Sequence, residues 1–114
     1  MASIQHFDTA SVQPEEGAPA PERVLEGNPR FKTWNFDEAT GGLYAGIWEA
    51  TPGKWRVSYD EWEYFHILSG YSILTSDSGE VVDLRPGVSL VVRPGFAGTW
   101  EVLETTRKDY VIRT

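Results

Sequence analysis

Cysteine is absent from this 114-residue chain, and there are only 2 histidines and 1 methionine. Without cysteine no disulfide can brace the fold, and no thiolate can bind zinc or act as a nucleophile. That composition suits a cytoplasmic protein, which is the expected location. Basic residues are also short: 10 Lys and Arg against 17 Asp and Glu leave a net charge of −7 at pH 7. Such a surface repels phosphate backbones, so nucleic acid is not an expected partner. No apolar stretch approaches the roughly 20 residues needed to cross a bilayer, which removes the membrane as a partner. Met1 to Phe7 carries neither the basic start nor the apolar core of a secretion signal.

What the chain does have is aromatic bulk. With 5 Trp, 5 Tyr, 5 Phe and a hydrophobic share of 40%, it can fill one core, and its length suits one domain. The opening stretch differs. Ser11 to Glu22 holds Pro14, Pro19 and Pro21 with Glu15, Glu16 and Gly17 and has little to bury. Residues 1–22 are therefore expected to form a flexible arm, free or extended across a neighbouring subunit, ahead of a domain over 23–114.

From Phe31 onward, short runs of aromatic and β-branched residues alternate with turn formers. The runs are Phe31–Phe36, Leu43–Thr51, Trp55–Tyr59, Trp62–Leu68, Tyr71–Thr75, Glu80–Leu84, Ser89–Val92, Thr99–Leu103 and Lys108–Ile112. Between them stand Gly41-Gly42, Pro52-Gly53, Gly70, Pro86-Gly87 and Pro94-Gly95, and Asp77-Ser78-Gly79 predicts a hairpin turn. No long stretch keeps a helical apolar stripe. About nine short strands at this spacing predict an all-β sandwich or barrel, and a closed jelly roll would remove most exposed sheet edges.

Two segments carry a family pattern. Glu63-Tyr-Phe-His-Ile-Leu-Ser-Gly70 has the carboxylate, apolar strand and turn glycine of the second half of the first cupin motif. Gly87-Val-Ser-Leu-Val-Val-Arg93-Pro94-Gly95 matches both glycines of the second motif, with Arg93 where that motif has proline. Gly95 to Val102, containing Gly98-Thr99-Trp100, and the late Lys108-Asp109-Tyr110-Val111-Ile112 resemble the small DUF861-type cupins related to the ethanolamine-utilisation Q protein and to the cupin halves of ureidoglycine aminohydrolase. The resemblance covers Val24 to Thr114. It implies a single-domain cupin, a double-stranded β-helix or jelly-roll barrel, whose domains tend to pair as homodimers. It is silent on activity, because cupins host enzymes, binders and regulators alike.

Metal-binding cupins place two His at i, i+2 ahead of the Glu and a third His in the second motif, a set suited to Mn, Fe, Ni or Zn. Here the first pair of positions falls on Arg56 and Ser58 or on Val57 and Tyr59, and the later one on Gly98. Glu63 alone remains, so neither a metal nor another cofactor is expected. Strand alternation puts Glu63, Phe65 and Ile67 on one face and Tyr64, His66 and Leu68 on the other, so His66 points away from an inward Glu63. The Tyr64, His66, Leu68 face is the candidate dimer surface.

Glu63 and Tyr59 are the candidate catalytic pair. Desolvation in an aromatic cavity would tune Glu63 for proton transfer; alternatively it is a relic satisfied by Tyr59, Arg56 or Arg93. Tyr44, Trp48, Trp55, Trp100 and Arg93 are the candidate ligand contacts, with Arg93 either gripping an anion or paired on the surface. One of the alternating sets Leu43, Ala45, Ile47 and Tyr44, Gly46, Trp48 faces inward. Lys108 is placed at a strand end. The expected function is a metal-free cupin that binds a small organic molecule, as a sensor, carrier or accessory of amine, ureide or sugar catabolism. The alternatives are an isomerase or lyase using Glu63, and a structural homodimer whose barrel is filled.

Overall fold

A computed structural model describes residues 3–114; Met1 and Ala2, the start of the expected arm, lie outside the described residues. The described residues form nine strands, β1 Glu15–Gly17, β2 Val24–Gly27, β3 Phe31–Ala39, β4 Leu43–Ala50, β5 Gly53–Ser58, β6 Trp62–Ser76, β7 Val81–Leu84, β8 Ser89–Val92 and β9 Ala97–Arg113. One short 3₁₀ turn, Pro21–Arg23, precedes β2. All pairings are antiparallel.

Two long strands, β6 and β9, run side by side and belong to both layers. Their outer halves, Trp62–Ile67 and Arg107–Arg113, pair with each other and extend through β4, β3 and β1 on one flank and β8 on the other. Their inner halves, Ser72–Ser76 and Gly98–Val102, extend through β5 and β2 on one flank and β7 on the other. The result is an all-β jelly roll with a core of Phe65, Ile67, Leu74, Leu84, Trp100 and Val102 between the layers.

The sequence pattern divides each long strand into two runs, at Ser69-Gly70 and at Glu104-Thr105. The structure carries the backbone through both points as a bend. Gly70 takes φ +89°, and a Cβ there would strike the Thr105 carbonyl. Its bareness is what lets the two strands stay in contact while they turn. The buried Ser72 hydroxyl meets Thr106 Oγ1 at 2.6 Å, and Thr106 donates to the Glu104 carbonyl at 2.8 Å. These bonds satisfy polar groups that the bend takes out of the regular ladder.

Asp77-Ser78-Gly79 forms the β6–β7 turn, closed by Gly79 N–H donating to the Ser76 carbonyl at 2.9 Å. The described part of the 1–22 segment lies on its own sheet. Glu15–Gly17 pairs with Thr33–Phe31, the Phe7 and Phe36 rings stack at 5.0 Å, and the Trp34 indole donates to the Val12 carbonyl at 3.2 Å. Low apolar content hides this docking in the sequence, because one ring, one carbonyl and a short backbone ladder on an open strand edge carry it.

Gly70→Ala is expected to lose about 1–3 kcal/mol more stability than Gly79→Ala, from forced overpacking at the bend. Gly79 takes φ +100° but faces open space, so its substitution costs only the left-handed backbone term. Urea midpoints measure the difference, and equal losses would contradict the role of the bend.

Candidate functional site

Alternation along β9 sends Trp100, Val102, Thr106, Lys108 and Tyr110 inward, on both sides of the bend. On β6 the same rule sends Glu63, Phe65 and Ile67 inward. Lys108 stands opposite Ile67 in the ladder, and its stem runs back past Phe65 to Glu63. Nζ donates to Glu63 Oε2 at 2.8 Å, with both side chains almost wholly removed from solvent. The ammonium also lies 4.5 Å from the Phe65 ring centroid, 4.6 Å from Trp48 and 4.8 Å from Trp100. Burying two charges costs several kcal/mol per ion, and close pairing plus three aromatic faces are what offset it.

A cavity of about 290 Å³ opens beside this pair, between the layers. Phe31 and Thr33 of β3, Trp48 of β4, Trp55 and Val57 of β5, Tyr59, Glu61, and Trp100, Tyr110 and Ile112 of β9 complete its wall. The rings form one packed set: Trp48 meets Trp100 edge-on at 5.2 Å, and Phe31 lies 5.2 Å from both Trp48 and Trp55. Trp100 is 1% exposed, and its indole N–H has no hydrogen-bond partner among the described residues. A buried donor left unpaired costs about 1–3 kcal/mol.

The field of the site is acidic. Burial, then the Glu63 carboxylate, holds the Tyr59 phenol well above its usual range. Tyr110 is pushed up to about 12 by burial and by Glu63, Glu15 and Glu38; its hydroxyl donates to Asn35 Oδ1 at 3.0 Å. Glu61 at the mouth is raised by burial and by its neighbour Glu63. The protein thus brings a cation, two carboxyls and two protonated phenols around one apolar space.

Of the residues expected at a site, Glu63, Tyr59, Trp48, Trp55 and Trp100 meet here. Tyr44 shares the inward face of β4 and packs against the core, but it does not line the cavity. Arg93 is exposed, outside this cavity, and makes no ion pair among the described residues; it lines a wider surface hollow of about 620 Å³ with Asp77, Glu80 and Phe96. The carboxylate pairing expected of Arg93 is thus not formed among the described residues. Arg56 also faces out, bidentate to Asp77 at 2.8 Å. Glu63 is satisfied instead by Lys108, which lies well inside β9 rather than at a strand end. His66 points outward, its Nδ1 3.5 Å from Asp109.

The register decides between the two possible histidine positions of a metal-binding cupin. Val57 and Tyr59 face the cavity, while Arg56 and Ser58 face out. Gly98 pairs with Val57, and any Cβ at 98 would strike the Thr75 carbonyl. The donors do not fit a transition metal: Val57 and Gly98 offer none, and an ammonium already occupies Glu63 Oε2. Among the described residues no group of three His, Cys, Asp or Glu converges on a point.

Two bent strands shared between layers, with a side-chain-lined mouth beside the first-motif Glu, define a cupin. The chain belongs to the EutQ-like cupin domain family, whose model matches residues 37–110. Solved structures agree on the fold. A DUF861-family protein of Pseudomonas syringae is 22% identical with a TM-score of 0.82; the alignment covers 93% of this chain and 46% of that one. This chain therefore spans about half the length of that relative. The EutQ protein of Clostridium difficile is 16% identical over 96% of this chain and 85% of its own, with a TM-score of 0.68. A Thermotoga maritima protein described as a predicted oxalate decarboxylase is 13% identical over 95% and 97%, with a TM-score of 0.75. No curated protein matches the chain.

Lys108→Met leaves Glu63 buried without its partner, and the expected loss is about 3–5 kcal/mol. Glu63→Leu combined with Lys108→Met is expected to be more stable than Lys108→Met alone. Chemical denaturation of the set checks this, and simple additivity would contradict it. The raised phenol of Tyr110 contributes stability that is complete below the unfolded value near 10 and is lost as pH rises through about 12. An alkaline absorbance titration is expected to show this phenol, and that of Tyr59, still protonated after free tyrosine has ionised.

Proposed function

We propose that this cupin reversibly binds a small organic molecule in the cavity beside Glu63 and Lys108, without a resident metal. The observation that carries the reading is the combination of open apolar volume and a buried ion pair that can meet a polar ligand from either of its charges. A barrel packed solid, the structural alternative, is disfavoured by that same open volume. The role is that of a cytoplasmic sensor, carrier or accessory protein in the handling of amines, ureides or sugars. A second reading, proton transfer by Glu63 with Tyr59 in an isomerase or lyase reaction, is favoured by the phenol held protonated beside the carboxylate.

Thermal unfolding against small amines, ureides and sugars tests the first reading. A ligand at a hundred times its Kd is expected to stabilise the protein by about 2.7 kcal/mol. Thr33→Trp, which fills the mouth, is expected to abolish that shift; an undiminished shift in this variant would place binding elsewhere and contradict the proposal.

The outward face of β6 supports pairing with a second copy of the chain, since Trp62, Tyr64 and Leu68 stay partly exposed there. Light scattering at micromolar concentration is expected to report a dimer that Tyr64→Glu dissociates, and a wild-type monomer would contradict it.

A further inference from the structure

We propose that Lys108 is an amine nucleophile that condenses with the carbonyl carbon of a small aldehyde or ketone held in the cavity. This goes beyond reversible binding, and its failure leaves that reading standing.

Three observations converge on it. First, Lys108 borders the cavity from the inner face of the barrel, with its ammonium almost wholly removed from solvent against the Trp48, Phe65 and Trp100 rings. Water reverses imine formation, so withdrawal of the amine from solvent favours the condensed state. Second, a base is already in contact: Glu63 Oε2 lies 2.8 Å from Nζ, within direct proton-transfer distance. Third, the cavity beside the pair holds about 290 Å³, room for a small carbonyl compound next to Nζ. A nucleophile and its base thus border one space large enough for a small carbonyl compound.

The step balances without an outside reagent. The ammonium passes one proton to Glu63, and the free amine attacks the carbonyl carbon. A C–N bond forms and the carbonyl π pair moves to oxygen. That oxygen receives a second proton from the nitrogen, giving the carbinolamine. Glu63 then returns its proton to the same oxygen, which leaves as water as the nitrogen lone pair forms C=N. The products are a protonated imine on Lys108, one water and an ionised Glu63.

The chain carries its own controls. Lys32 is exposed and Lys54 is partly exposed beside Glu26, so the two bracket ordinary lysine reactivity. The full-length protein is treated with propanal, and separately with acetone, in the presence of cyanoborohydride, and each lysine is followed by peptide mass mapping. A merely structural Lys108, buried and ion-paired, is the last of the three to be alkylated. The proposal predicts that it is the first, by about tenfold or more with at least one of the two carbonyls. Lys108 no faster than Lys32 and Lys54 with both compounds would overturn it. Glu63→Gln is expected to slow Lys108 by about 10²-fold while the other two lysines keep their rates. Unchanged Lys108 labelling in a folded Glu63→Gln protein would also overturn the proposal. If that variant does not fold, the order of the three lysines in the wild type decides alone.

Discussion

The ion pair between Glu63 and Lys108 is the interaction on which the interior depends. Each residue comes from one of the two long strands shared by both layers, so the pair fastens β6 to β9 on the inner face where backbone hydrogen bonds do not reach. It is a costly choice for a small core. A pair of apolar side chains in the same place would be about as stable or more so. The aromatic residues around it are arranged to lower that cost, since three rings face the ammonium. A charge pair kept at the floor of an open cavity, rather than replaced by leucine, is what the proposed binding of a small polar molecule makes use of.

The same arrangement accounts for the loss of the metal-binding pattern. In this barrel the positions that face the mouth from β5 are Val57 and Tyr59, and Gly98 leaves no room for a side chain. The positive charge that a metal would bring beside the remaining carboxylate is supplied by a lysine from the opposite end of the sequence. A lysine differs from a metal in being a proton donor and, once neutral, a nucleophile.

Much of this was legible in the sequence. Glu63 stands out through its motif, and Trp48, Trp55, Trp100 and Tyr59 through their aromatic bulk, with the inward face of their strands left open until the register is known. Lys108 was harder to place because the run that holds it reads as separate from Thr99–Leu103. Three exposed residues, Leu103, Glu104 and Thr105, interrupt the pattern, yet the even-numbered phase survives the interruption from Trp100 to Tyr110. Carrying that phase across the gap would have turned Lys108 inward and called for a carboxylate to meet it. Arg93 and Tyr44 show the reverse limit. A motif position or an inward face does not fix whether a side chain borders the cavity, because that depends on how far along the barrel axis the strand has run. The docking of Phe7, Val12 and Glu15–Gly17 on the sheet had little signal in composition, since it rests on one ring stack, one indole bond to a carbonyl and a three-residue backbone ladder.

The indole N–H signals offer the most direct measurement, since the 5 tryptophans sample the barrel from inside and outside. The experiment is an ¹⁵N-correlated NMR titration with a compound that stabilises the protein. Binding beside Glu63 and Lys108 predicts that the Trp48, Trp55 and Trp100 indoles shift together while the outward Trp62 stays in place. Shifts at Trp62 with the three inner indoles unmoved would contradict the account.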